Sequence, residues 1–278
     1  MSSDNATTIN RVASATDSSS ARLFAAQALV DEHRLANRKA YLHPYTIAGW
    51  VVLAAFLIYS LEWYPKDDYP GWYALLAYMR VLRGPLVAAV PIVMRINRIH
   101  REQFEERAER RVKARDMVDP AAFSRSAKHG AGVWVMQTSK GKTLGVVAVD
   151  IDPDRVDPGA TATSTAIQKT TKQATQPETA IITSLHVDLN ARRSSPNAVD
   201  ELLRFALVQL AKKAPLSVNN VRMLVAPTLS TYVENALQRA GFQPVKPEGQ
   251  PPLEPLGVYS WPQEWYELRR EQWPIAKE

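Results

Sequence analysis

The sequence predicts an α/β (α+β) fold in which a mixed sheet flanked by helices follows a two-helix membrane hairpin. Two observations lead to this prediction. Strand-like runs alternate with amphipathic helical segments between residues 132 and 261, which is typical of a sheet covered by helices. Apolar residues are concentrated ahead of that region, between residues 42 and 94.

Composition excludes several kinds of site. The 278-residue chain has no cysteine, so disulfides, thiolate nucleophiles and iron–sulfur clusters are excluded. Its five histidines are scattered without the spacing of a zinc site, and we expect no metal. The net charge of +6 favours an anionic partner or a membrane face.

The N-terminal region predicts a tail and then a helix. Residues 1–20 are rich in Ser, Thr, Asn and Asp and lack an apolar run, so we expect a disordered tail and no signal peptide. Ser20 is the expected N-cap of a cytosolic helix over residues 21–39, because a serine hydroxyl accepts from the first helical N–H groups.

A hydrophobic hairpin is expected over residues 40–94. Residues 40–61 contain no formally charged side chain and are long enough to cross a hydrocarbon core of about 30 Å. Tyrosines and tryptophans lie near both ends of this run, as interfacial aromatics do. The alternative is a buried helix of a soluble protein.

The second limb, residues 69–94, leaves two geometries open. It is long enough to span, but Arg80 and Arg83 lie near its middle, where each would cost roughly 2.5–3.5 kcal/mol on insertion scales. Gly84 and Pro85 could break the helix, so a shallow or re-entrant limb competes with a full span. Because an intramembrane charge requires a partner, both arginines are candidate membrane or client contacts.

Charge predicts orientation and location. The connection between the limbs is acidic and both outer flanks are basic, so the positive-inside rule places both termini in the cytoplasm. Without a signal peptide or sorting motif, the endoplasmic-reticulum membrane is the default location. A basic juxtamembrane helix is expected over residues 95–117. It could contact anionic lipid, whereas its interspersed glutamates argue against nucleic acid.

A cytosolic domain is expected over residues 118–261. Runs at 132–137 and 143–150 predict a β-hairpin, and residues 152–179, which are rich in threonine, predict a disordered loop. A strand at 181–187, a polar loop and an amphipathic helix follow. For that helix, Ser195 is a possible cap and Pro196 suits the first turn.

The last elements are predicted from shorter signals. A strand is expected at 221–226, and Thr231 with Glu234 forms a capping-box signature for a helix that Gly241 would stop. Two short strands at 242–245 and 257–261 would follow. Residues 262–278 are expected to form an aromatic segment packed on the domain or on a membrane.

His186 and Asp188 are the candidate general bases. They lie two residues apart at the end of the strand, and therefore on one face of it. The structural interpretation of the same pair, a hydrogen-bonded strand histidine and a surface carboxylate, is the one we prefer.

These elements resemble the GNAT superfamily of N-acetyltransferases over about residues 119–261. The resemblance rests on Leu185-His186-Val187-Asp188, Arg192-Arg193, Leu202-Leu203 and Ala240-Gly241-Phe242. It implies a GNAT-like fold that holds acetyl-CoA along the central strand. The implied cofactor-binding residues in the following loop are Arg192, Arg193, Asn197 and Ala198.

The chain departs from two motifs of that superfamily. The phosphate-binding loop has the form Q/R-x-x-G-x-G/A, but Pro196 stands at the first glycine. Glycine lets the backbone approach a phosphate closely, and proline removes an N–H donor. The position of the leaving-group acid is Leu237, and Tyr232 lies more than a helical turn away. We therefore expect a non-catalytic domain without a cofactor; the alternative is a membrane-anchored, acetyl-CoA-dependent N-acetyltransferase.

A second resemblance fits these departures. The hairpin, the strand Ile182-Thr183-Ser184-Leu185-His186-Val187, Glu201-Leu202-Leu203 and Ala240-Gly241-Phe242-Gln243 are similar to the fungal endoplasmic-reticulum packaging chaperones for the inorganic phosphate permease. This resemblance implies an export chaperone or assembly partner whose partners are the lipid bilayer and a polytopic transporter client. A lipid-surface tether through residues 95–115 is a further alternative.

Overall fold

The computed structural model describes residues 7–12, 14–63, 72–126, 130–151, 178–214, 216, 218–246 and 253–273. The elements of this part of the chain are β1 (Thr7–Arg11), α1 (Ala15–Tyr41), α2 (Pro44–Ser60), α3 (Trp72–Val112), α4 (Arg115–Val118), α5 (Pro120–Ser126), β2 (Gly132–Thr138), β3 (Thr143–Asp150), β4 (Glu178–Val187), α6 (Leu189–Ser194), α7 (Ala198–Lys213), β5 (Val218–Val225), α8 (Thr231–Arg239), β6 (Gln243–Val245), β7 (Glu264–Arg269) and a 3-10 turn, Arg270–Gln272.

The chain divides into two compact units. The sheet unit contains residues 1–30, 106–256 and 261–278, and the helical unit contains residues 31–105 and 257–260. Both α1 and α3 contribute residues to each unit. The expected domain over residues 118–261 therefore lacked the N-terminal and C-terminal pieces that the sheet unit includes.

One seven-stranded mixed sheet forms the centre of the sheet unit. Its strand order is β1-β2-β3-β4-β5-β7-β6. All neighbours are antiparallel except β4 and β5, which are parallel. A parallel pair requires a crossover connection, and α6 and α7 lie on the chain between these two strands. The predicted mixed sheet with helices is confirmed.

Helices cover both faces of this sheet. Leu202 of α7 and Leu237 of α8 belong to one buried cluster, and Met117 of α4 belongs to the other. Successive residues of a strand point to opposite faces, so in β2 Trp134 joins the first cluster and Val135 the second. Burying a large aliphatic side chain contributes about 1.5–3 kcal/mol, and both faces therefore stabilise the sheet.

The predicted tail differs from the structure. Residues 1–6 lie outside the described residues, but Thr7–Arg11 is the edge strand β1, paired antiparallel with β2. Its side chains are mostly exposed, so the pairing depends on backbone hydrogen bonds and leaves no apolar signal in the sequence. Helix α1 begins at Ala15, ahead of the expected cap Ser20, and Ser14 Oγ accepts from the N–H of Asp17 at 3.0 Å.

The predicted C-terminal aromatic segment contributes a strand to the sheet. Residues 264–269 form β7, which lies between β5 and β6 in the sheet, and Trp265, Tyr266 and Leu268 are buried there. The expected strand at 257–261 is a turn in which Leu256 and Trp261 form an isolated bridge. Residues 274–278 lie outside the described part.

Two helix starts need correction. Residues 189–194 form the short helix α6, and α7 begins at Ala198 with Asn197 as its N-cap; Ser195 instead ends α6. Thr231 is the first residue of α8 and does not cap it. Glu234 instead accepts from the Tyr266 hydroxyl at 3.0 Å.

Tyr266 remains a phenol at neutral pH. Burial raises the pKa of Tyr266 to about 12, and the hydrogen bond to Glu234 acts in the same direction. The hydroxyl therefore stays a donor to the carboxylate, joining β7 to α8.

The end of α8 is as predicted, since Gly241 has φ +92 there.

In the helical unit α2 and α3 contact each other closely. Helix α3 runs without a break through Gly84, Pro85 and Pro91, so the helix break at Gly84-Pro85, one of the two geometries left open for this limb, is not formed. A Cβ at Gly84 would lie 2.6 Å from Cγ1 of Ile58, and Trp50 Nε1 donates to the Pro85 carbonyl at 2.6 Å. Each proline removes one N–H donor from the ladder of α3, and the contacts with Ile58 and Trp50 join this part of α3 to α2.

Among the described residues, no single helix is both long and apolar enough to cross a membrane. Two consecutive helical segments, Thr16–Tyr41 and Pro44–Ser60, are bent by 53° relative to each other and meet the length and composition criteria for a span when they are taken together.

A buried polar network organises the helical unit. His100 of α3 is fully buried; its Nδ1 lies 2.6 Å from Asn37 Oδ1 of α1, and its Nε2 accepts from the Val258 N–H at 3.1 Å. These two partners fix a neutral ring that donates through Nδ1. Gln103 Oε1 also accepts from the N–H of Gly257 at 2.7 Å, so the turn 257–260 is held by α3.

A buried ion pair organises the sheet unit. Asp116 of α4 is fully buried and accepts from the two terminal nitrogens of Arg111 at 2.7 and 2.8 Å. Thr183 Oγ1 of β4 donates to the same carboxylate at 2.7 Å. Because a buried charge must be paired and hydrogen-bonded, this cluster fixes the end of α3 and the helix α4 against β4.

Arg111→Met tests that cluster, because it leaves the Asp116 carboxylate buried without its guanidinium. We expect a loss of about 3–5 kcal/mol in the free energy of unfolding of the full chain, measured with denaturant. Adding Asp116→Leu should recover part of it. The control is Arg239→Met, which removes the exposed pair with Asp200 and should cost at most about 1 kcal/mol. Equal losses for the two single variants would contradict this interpretation.

The His100 network predicts a pH dependence. Burial and, to a smaller extent, the nearby His33 together lower the pKa of His100 to about 4, whereas an unfolded histidine titrates near pH 6.5. The unfolded chain therefore binds more protons between these values, and stability falls as the pH drops from 6.5 towards 4, by about 3 kcal/mol in all. Unfolding titrations at several pH values measure this slope. The variant His100→Gln should flatten it, and an unchanged slope would contradict the assignment.

Candidate functional site

The candidate site lies at the C-terminal end of β4. The parallel ladder between β4 and β5 extends only from the pair Glu178–Val218 to the pair Ile182–Met223. On its other side β4 remains paired with β3 as far as Val187. The last residues of β4 thus have a strand neighbour on one side only within the described sheet, and ligands of open α/β sheets bind at such carboxyl ends.

An irregular register shapes this end of the strand. Pairing between β3 and β4 shifts between Ala148 and Val149, which leaves Thr183 as the extra residue of β4. A bulge of this kind redirects side chains and bends the strand. Beyond it Leu185 joins the cluster under α7, and His186 points to the opposite side, where its ring lies 6.3 Å from that of Phe24 of α1.

His186 is enclosed by aromatic neighbours. Its side chain is fully buried, and its Nδ1 lies 3.1 Å from the hydroxyl of Tyr232. The guanidinium carbon of Arg192 lies 3.9 Å from the centroid of the Tyr232 ring, within the range of a cation–π contact. The structure thus brings the predicted residues His186 and Arg192 together through Tyr232.

Asp188 has a structural role at this end of the strand. It is the N-cap of α6, and its Oδ2 accepts from the Asn190 N–H at 3.1 Å. Its own N–H donates to the Leu144 carbonyl at 2.7 Å. A carboxylate that caps a helix is held by the first turn, and Asp188 is half-buried in this position.

The loop that would hold a pyrophosphate is arranged differently. Arg193 and Asn197 are exposed and Ala198 is buried, and the Ala198 N–H already donates to the Ser195 carbonyl at 3.1 Å. Pro196 offers no N–H. The Ala198 N–H is thus engaged within the loop, and the binding role predicted for these residues stays a prediction.

The start of α7 carries negative charge. Asp200 and Glu201 lie in its first turn, where carboxylates interact favourably with the helix dipole. Asp200 also accepts from Arg239 at 2.9 Å. The partial positive charge that would attract a phosphate is thus already compensated by the chain's own residues.

The two arginines predicted for membrane or client contact lie on α3. Arg83 is exposed, and Arg80 belongs to the same helix, although its side chain lies outside the described part.

No group of three or more potential metal ligands occurs among the described residues.

Sequence reasoning missed two of the residues that enclose His186. Tyr232 was set aside because it lies more than a helical turn from the expected acid position, Leu237, and Phe24 was not considered. The available signal was the aromatic character of both residues beside apolar helical positions. Neither residue could be placed against His186 without the strand order.

Comparisons with known proteins return structural likeness only. No protein-family model matches the sequence, and no curated protein matches it. In structure the chain is similar to an acetyltransferase of the GNAT family from Staphylococcus aureus Mu50, with a TM-score of 0.38 at 9% identity over 95% of this chain and 99% of that one.

The chain is also similar to the histone acetyltransferase HPA2 and related acetyltransferase from Corynebacterium glutamicum ATCC 13032. That likeness has a TM-score of 0.38 at 16% identity over 98% of both chains. TM-scores this low carry no argument by themselves. The fold of this chain is defined by its own strand order and strand registers.

Proposed function

We propose that this protein is an endoplasmic-reticulum membrane protein that acts as an export chaperone or assembly partner for a polytopic transporter. In this proposal the helical unit is embedded in the bilayer with both termini cytoplasmic, and the sheet unit is a non-catalytic domain of GNAT-like fold. The transporter class is taken from the resemblance to the packaging chaperones of the phosphate permease.

The observation that carries the membrane role is an exposed apolar surface on α2 and α3. It contains Val51, Val52, Phe56 and Tyr59 of α2 and Leu82, Leu86, Val90 and Met94 of α3, each at least half exposed. Soluble monomers rarely expose apolar patches larger than a few hundred Å². A hydrocarbon environment would remove the cost of this exposure.

The contact between α2 and α3 is of a kind that suits such an environment. Ala54 and Ala88 are buried, and Gly84 leaves no room for a side chain against Ile58. Helices in lipid associate through small residues that let the backbones approach closely. Both the outer surface and the inner contact of the pair therefore support the proposal.

Arg83 supports a client within the membrane. It is exposed on α3 among apolar residues, at a position where a charge is costly in a bilayer. A carboxylate or a polar cavity in a transmembrane helix of the client would offset that cost. A polytopic protein offers such groups more readily than a single lipid-facing helix.

The non-catalytic role of the sheet unit is supported by the site itself. His186 is enclosed by Tyr232 and Phe24, Asp188 caps α6, and the first turn of α7 carries its own carboxylates. A general base must reach the proton that it abstracts, and a fully buried ring does not.

One observation favours the alternative, an acetyl-CoA-dependent N-acetyltransferase. The ladder between β4 and β5 ends early, which is the arrangement that would admit a cofactor between the two strands. Binding there would require Arg192 to leave the Tyr232 ring and Tyr232 to leave His186. Transfer of labelled acetyl groups from acetyl-CoA to amines, if it depended on His186, would favour this alternative.

Replacing the two arginines tests the client contact. The variant Arg80→Leu/Arg83→Leu should remain in the membrane fraction, because it becomes more apolar, but its co-purification with a co-expressed polytopic phosphate transporter should fall about tenfold or more. The control is Arg98→Leu, which removes an exposed arginine of the same helix that is paired with Glu102 at 3.0 Å. Unchanged co-purification of the double variant would contradict the proposal.

A further inference from the structure

Apart from Arg83, the exposed arginines described in the helical unit fall into two groups. On the polar part of α3, Arg98 pairs with Glu102 at 3.0 Å and Arg101 pairs with Glu105 at 2.6 Å. Each of these positive charges is balanced by a glutamate one turn further on, and such i,i+4 pairs stabilise a solvated helix.

Three other exposed arginines have no such balance. Arg34 and Arg38 of α1 and Arg95 of α3 are exposed and make no ion pair within the described residues. We call these three residues the basic collar. Exposed cations that lack an internal partner are the groups that an external anion can neutralise.

The collar residues lie at one level of the helical unit. Asn37 Nδ2 of α1 donates to Asn97 Oδ1 of α3 at 3.3 Å, which aligns the two helices at this point. Arg34, Arg38 and Arg95 lie one to three residues from these asparagines. At 1.5 Å per residue, each arginine is therefore within about 6 Å of the asparagine on its own helix, measured along the helix axis.

That level is the end of the apolar surface. Met94, which is 67% exposed, directly precedes Arg95, and Tyr45, which is 78% exposed, lies in the first turn of α2. In a bilayer this is the depth of the headgroups, where tyrosine and arginine are favoured. Burial lowers the pKa of the neighbouring His33 and His100, so neither adds charge at neutral pH.

We propose that the basic collar binds the headgroups of acidic phospholipids and so selects their leaflet. This inference rests on the proposed membrane role of the helical unit and adds the chemical class of lipid. The attraction of a basic residue to an anionic membrane surface is about 1 kcal/mol. Three such residues set an upper limit of roughly a hundredfold on the enrichment of acidic over zwitterionic lipid.

The test uses the full chain reconstituted in vesicles of phosphatidylcholine and phosphatidylserine. Flotation first establishes whether the protein stays with the vesicles. Lipid retained on extraction in mild detergent is then identified by native mass spectrometry. We expect phosphatidylserine to be enriched over phosphatidylcholine on the unmodified protein. In the variant Arg34→Gln/Arg38→Gln/Arg95→Gln, the enrichment factor should be lower by about tenfold or more.

The charge-matched control is Arg98→Gln/Arg101→Gln/Arg110→Gln, whose arginines are all paired with glutamates. It should keep the enrichment. Equal loss in both triple variants, or no enrichment on a protein that does float with the vesicles, would overturn the collar and leave the membrane role intact. A protein that does not float would overturn the proposed function and the collar with it.

Discussion

The hydrogen bonding of β4 is the constraint on which the sheet unit depends. This strand is paired with β3 along its whole second half but with β5 only as far as Ile182. The extra residue Thr183 is held by the buried pair of Arg111 and Asp116, so the bulge is fixed by charge as well as by the ladder. At the end where the ladder with β5 stops, the His186 ring contacts the Tyr232 hydroxyl.

The helical unit is also organised by hydrogen bonds between its buried polar groups. His100 bonds to Asn37 and to the backbone of Val258. Its outward surface on α2 and α3 is apolar and exposed among the described residues, whereas most of the large apolar side chains described in the sheet unit are buried in two clusters. The proposed membrane role assigns lipid to this exposed surface.

The sequence predicted elements where apolar pattern and packing agree. The hairpin β2–β3, strand β4 and helix α7 have β-branched or helical-period residues that are buried in the structure. Strand β1 was missed because an edge strand with exposed side chains needs only backbone partners. Strand β7 was missed because Trp265 and Tyr266 are adjacent and both buried, so the run lacks the strict alternation that predicts a strand. His186 and Arg192 were named in advance, but Tyr232 joins them through tertiary packing that spacing along one helix does not reveal.

We propose that the chain's own Tyr232 and His186 occupy the end of β4 at which a resemblance to acetyltransferases would place a cofactor. Calorimetric titration of the full protein with acetyl-CoA distinguishes this arrangement from an open site. We expect no measurable heat of binding for the unmodified chain up to millimolar ligand, a range in which binding free energies are weaker than about 4 kcal/mol. Micromolar binding, abolished by Arg192→Ala, would contradict it and would favour the acetyltransferase.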